Sequence, residues 1–189
     1  MRPARPAPLT VRFALLLPFA LTAGCNRNPA PEPNAGAQQG AHDSSDQNAQ
    51  SPDRAPSHGY GSKIAWRTLE DARAASKASG KPMMVFVHAS WCGRCKELGP
   101  VFDDPALIAA SDSLVMVNLD QDKNEDARTV FAPDGNYVPR ILFFNPSGDR
   151  ITDIVNPRSP QFPLYYSYGS KLELLAAMRR ASEDTALSP

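Results

Sequence analysis

Cys92-Gly93-Arg94-Cys95 follows closely on the apolar run Met83-Met84-Val85-Phe86-Val87, and this juxtaposition constrains the chain more than any other feature. A continuous apolar run of strand length reads as a central strand covered on both faces. Two thiols at this spacing can close a disulfide, and the first stands where the strand passes into a helix. Unpaired N–H groups and the macrodipole at a helix start favour its thiolate, the nucleophile of disulfide exchange. A static disulfide or half a zinc site would use the same two residues. Zinc needs four ligands and only His88 lies near in sequence, so no metal and no cofactor are expected.

The flanking sequence supplies a frame for that pair. Thr68-Leu69-Glu70-Asp71 places a Thr N-cap before an acid three residues on and predicts a helix start. Leu69, Ala72 and Ala75 or Ser76 share a stripe, and Gly80 with Pro82 stops the helix near Ser79. Residues 114–119 and 140–144 read as two more buried strands, the second closed by the turn Asn145-Pro146-Ser147-Gly148. Residues 151–155 alternate enough for an edge strand, and 171–181 predict a last amphipathic helix with Leu172, Leu175 and Met178 in register. The order is αβαβαββα, an α/β class. Asp120-Gln121-Asp122-Lys123-Asn124 imitates a calcium loop, but Glu125 replaces its glycine and Phe131 its last glutamate, so a solvated strand-to-helix turn is expected. Phe162, Tyr165, Tyr166 and Tyr168 either pack on the last helix or form an aromatic partner surface.

Ahead of this domain the composition changes. Arg2, Arg5 and Arg12 precede an apolar stretch over residues 13–21 that is too short to span a bilayer, which reads as a secretory signal over 1–24. It closes with Leu21-Thr22-Ala23-Gly24-Cys25, which resembles a bacterial lipobox and makes Cys25 the expected site of lipidation. Residues 26–59 hold no Val, Ile, Leu, Met, Phe or Trp, so 25–60 reads as a lipidated N-terminus and disordered tether. His42 and His58 on it are expected to be solvated. The domain is placed at 61–185. Lipidation would also remove the odd cysteine and leave an even pair in an oxidising compartment. Lysine plus arginine and aspartate plus glutamate both count 20, so no global field favours nucleic acid.

Trp91-Cys92-Gly93-Arg94-Cys95-Lys96, Pro100, and Val138-Pro139 before an apolar strand together resemble the thioredoxin superfamily. Within it, residues 66–71, 90–92, 116–119 and 133–142 are similar to the endoplasmic-reticulum thioredoxin-like proteins of the anterior gradient family. The resemblance implies a thioredoxin-like three-layer α/β/α sandwich with a mixed central sheet, and a thiol–disulfide oxidoreductase acting on protein thiols and disulfides. It makes Pro139 the cis-proline beside the disulfide and Pro100 the kink of the active-site helix. Cys92 attacks and Cys95 resolves, while Trp91, Gly93, Arg94, Val138 and Pro139 shape the groove and tune the thiols. Expected partners are substrate proteins, a redox partner protein and, through the lipid anchor, a bacterial membrane. The domain would face the periplasm, with the outer membrane favoured over the inner.

The departures shift some of these expectations. The chain ends Ala186-Leu187-Ser188-Pro189, without a retention signal, so a lipid anchor takes its place. Phe86 stands where many thioredoxins bury an aspartate, which leaves His88 as the nearest titratable candidate for proton transfer or else a strand histidine bonded to backbone. Arg94, beside the thiolate, predicts a pair more oxidising than thioredoxin's potential of about −270 mV. A dedicated reductase, as in cytochrome c maturation, and a polypeptide-binding chaperone module with a structural disulfide are the alternatives.

Overall fold

The structure, a computed structural model, describes residues 54–186. The leader, Cys25, His42 and most of the tether lie outside the described residues. Chain order gives β1 (Trp66–Arg67), α1 (Leu69–Ser79), β2 (Met83–His88), α2 (Gly93–Leu98), α3 (Pro105–Ser111), β3 (Val115–Asp120), β4 (Arg140–Phe144) and α4 (Lys171–Ala186).

Local chemistry sets the first helix. The Asp71 N–H donates to Thr68 Oγ1 at 3.2 Å, and Gly80 closes the other end at φ 68°, where a side chain would be strained. Pro100, expected as a kink inside the active-site helix, instead lies in the first turn of a 3₁₀ run, Gly99–Asp103, that follows α2, before the Asp104 carboxylate caps α3 through the Ala106 N–H.

The sheet runs β1-β3-β2-β4. β3 pairs in parallel with both β1 and β2, and β4 runs antiparallel to β2 with Val87 opposite Arg140. The mixed sheet is covered on both sides, so the three-layer α/β/α sandwich holds. On one face Met84, Phe86, Met116, Ile141 and Phe143 pack with residues of α2, α3 and α4. On the other, Val85, Val87, Val117 and Leu142 pack with Ala72 of α1 and with Ala127 and Phe131.

Three expectations are corrected. Residues 151–155 form no strand: a Phe144–Arg150 bridge and one bond from Ile151 N–H to the Phe143 carbonyl start a ladder, which a turn at Thr152-Asp153 ends. The segment after β3 holds only a 3₁₀ turn, Asp126–Arg128, in place of a helix. In α4 the inward stripe is Leu174, Ala177, Met178 and Ala181, while Leu172 is 71% exposed, because the helix meets the sheet through a face rotated from the 172/175/178 row. Among the described residues no helix is long and apolar enough to cross a membrane.

Candidate active site

β2 ends at His88, and a short turn delivers Cys92 to the N-cap of α2, where its Sγ accepts from the Cys95 N–H at 3.0 Å. Cys92 and Cys95 are joined as a disulfide with Cα atoms 5.3 Å apart. Cys95 is fully buried and Cys92 is 4% exposed, so a partner sulfur reaches the pair only through Cys92. The N–H that faces Cys92 Sγ would stabilise a thiolate there on reduction. Gly93 leaves open space in front of the bond, since a Cβ at that position would meet nothing within 4 Å.

Across the pair lies the loop entering β4. The Val138-Pro139 peptide is cis, and the Val138 carbonyl oxygen is 3.8 Å from Cys92 Sγ. Trp91 to Cys95 thus run into the start of α2, and Val138, with its cis peptide to Pro139, lies against Cys92. Trp91 is 65% exposed, yet its indole N–H donates to Asp122 Oδ2 at 2.7 Å, which fixes the ring beside Cys92. Asp122 in turn donates its backbone N–H to Asp120 Oδ1 at 3.0 Å. The turn after β3 is thus tied to the site, a contact that no local pattern announces.

Arg140 is the second unannounced residue. It is fully buried beside the cis-proline, and its guanidinium donates to the carbonyl of Phe131 at 2.9 Å and to those of Tyr137 and Ala127. Its charge has no carboxylate among these partners. Burial lowers its pKa, and Tyr137 and Asp134 oppose that shift. Arg94, by contrast, faces solvent and donates to Glu97 at 2.8 Å. The expected cation beside the thiolate is therefore paired, which weakens the argument for an oxidising pair.

His88 is buried with both ring nitrogens unpartnered, so the bland reading of a histidine bonded to backbone does not hold. Its ring packs on Phe86 at 5.4 Å, Tyr60 at 4.7 Å and His58 at 5.3 Å. Burial, with help from His58 and Lys123 and against Asp120, lowers its pKa to about 4. It borders a cavity of about 340 Å³ that also touches Ser90, Lys96 and Asp120. His58 remains exposed but is held against the domain, since Asn118 donates to the carbonyls of Pro56 and Ser57 next to it. Among the described residues no group of three or more His, Cys, Asp or Glu is placed to hold a metal.

A bonded cysteine pair at a helix start, opposed by a cis-proline loop on a mixed four-stranded sheet, defines the thioredoxin-like class, whose chemistry is thiol–disulfide exchange. A family model described as thioredoxin-like matches residues 65–146. Anterior gradient protein 3 of Xenopus tropicalis is 39% identical over 100 residues, which are 50% of this chain and 59% of that protein. Anterior gradient protein 2 homolog of Homo sapiens is 32% identical over 127 residues, 66% of this chain and 70% of that one. The chain belongs to the anterior gradient family of thioredoxin-like proteins. Among solved structures, a thioredoxin from Thermus thermophilus is 21% identical with a TM-score of 0.49, covering 62% of this chain and 86% of that one.

Proposed function

We propose that this protein is a thiol–disulfide oxidoreductase acting on other polypeptides outside the cytoplasm, anchored to a bacterial membrane by a lipid on Cys25. The observation that carries the reading is the bonded pair itself, with only Cys92 reachable and its sulfur against the Val138 carbonyl. In the reducing direction the Cys92 thiolate attacks a partner disulfide and one partner sulfur leaves as thiolate. Cys95 then attacks the mixed disulfide, so two electrons pass to the partner and the Cys92–Cys95 bond re-forms. Oxidation of a partner dithiol runs the same steps backwards. Trp91, Gly93, Val138 and Pro139 shape the approach.

Cys95→Ala is expected to accumulate partner proteins as mixed disulfides that reductant releases, because the resolving thiol is gone. Trapping by Cys92→Ala alone would reverse the assigned roles, and turnover of a model disulfide by Cys92→Ser would end the catalytic reading. For the anchor, the intact protein is expected in the detergent phase and Cys25→Ser in the aqueous phase. Equal partitioning would remove it.

A further inference from the structure

The redox groove has a side wall that the exchange chemistry does not require. Residues 162–165 make a turn closed by a bond from Tyr165 N–H to the Phe162 carbonyl at 2.9 Å. The turn is fastened to the sheet, since the Leu164 carbonyl accepts from Ile141 N–H at 2.8 Å, just beyond the cis-proline. Tyr137 backs it from behind: its hydroxyl accepts from Leu164 N–H at 3.2 Å, and its ring meets Phe162 edge-on at 5.0 Å. Behind Tyr137 stands the Arg140 guanidinium, 5.8 Å from the ring centre and itself fixed by three carbonyls. At its other end, at Tyr165, the turn comes near Arg94 of the active-site helix.

This well-supported structure holds Phe162 44% exposed, while Trp91 is 65% exposed beside Cys92. Large rings kept in water on the elements that carry and flank the reactive pair indicate a surface meant to be covered. We propose that the 162–165 turn selects polypeptide substrates with an aromatic or branched aliphatic side chain one or two residues from the reacting cysteine, a proposal that rests on the oxidoreductase reading above. Spacing supports this occupant. A cysteine docked at Cys92 lies beside Val138, and an extended peptide advances about 3.3 Å per residue. Its next side chains therefore come to the neighbours of Val138, which are Tyr137 and, against it, Phe162. The turn from Phe162 to Tyr165 contains no charged residue, and the nearby Arg94 is engaged by Glu97, so an apolar side chain fits it and an acidic one does not.

The test is single-turnover exchange between the reduced protein and two short peptides, each closed by an internal disulfide, which differ only in Phe or Ser beside one cysteine. The protein dithiol becomes a disulfide as the peptide disulfide becomes a dithiol. The Phe peptide is expected to react roughly tenfold faster, the discrimination an apolar side chain gives in an apolar site. Phe162→Ala should bring the ratio close to one, and Phe162→Asp should favour a Lys peptide. Tyr168→Ala, which removes an exposed aromatic outside the turn, should keep the wild-type ratio. Equal wild-type rates, or an unchanged ratio in both Phe162 variants, would overturn the wall while leaving the enzyme reading intact. No reaction with either peptide, neither in this direction nor when the bonded protein is offered the peptide dithiols, would overturn both.

Discussion

The two faces of the sheet are built from alternate residues of the same strands, yet they differ in kind. Met83, Val85 and Val87 of β2 join Val115, Val117, Leu119 and Leu142 in a mainly aliphatic layer against α1, closed by the rings of Phe131 and Phe144. Met84 and Phe86 join Tyr60, Trp66, Phe102 and the disulfide, and His88 ends that row with two unpartnered nitrogens. Tyr137 and Arg140 stand at one end of the first face, and its strand residues named above carry nothing to titrate and nothing to react. One strand thus serves cohesion with one set of side chains and chemistry with the other. The strand's period of two separates the tasks without needing a second element.

This division can be broken by substitutions that respect it. Leu142→Ala, on the aliphatic face, is expected to cost about 2–5 kcal/mol in denaturant unfolding, through lost burial and the cavity left behind, with the reduction potential unmoved. A shifted potential would mean that the faces are coupled. On the other face His88 makes stability depend on pH. Its pKa is about 4 in the fold against 6.5 for the unperturbed group, so the unfolded chain takes up the proton first. The margin is full above pH 6.5 and is lost as pH falls towards 4, by about 3 kcal/mol in all. His88→Phe should flatten that part of the pH–stability curve; an unchanged slope would refute the assignment. Thr68→Ala removes the cap of α1 and is expected to cost about 1 kcal/mol, again without effect on the potential. The smallest effect concerns Glu97→Gln, which frees Arg94 and should move the potential upward in glutathione redox buffers, with stability nearly unaltered. A downward shift would count against any role of Arg94 in tuning the pair.

What the sequence disclosed follows the range of the interactions involved. Thr68, Gly80, Pro100 and the apolar runs of β2, β3 and β4 act on their own neighbours, so their signals are local and were readable. β1 has two residues, too few for any periodicity, and exists because Trp66 and Arg67 pair with Met116 and Val117. The Trp91–Asp122 bond spans 31 residues, and Asp122 reads locally as one more loop acid. Arg140 reads as a charge at a strand start, although its partners are carbonyls supplied by a segment up to 13 residues earlier. The alternation over residues 151–155 is real, but a ladder also needs a straight chain, which the Thr152-Asp153 turn denies it.

The borders of the sheet carry a further consequence. β1 is two residues long, and the outer side of β4 is occupied by Ile151 and Leu164 through single bonds from segments rich in proline and turns. Neither margin offers the long row of free N–H and C=O groups on which a foreign strand can template itself. A domain whose pair exchanges disulfides with other polypeptides is in this way guarded against strand addition at its own sheet margins.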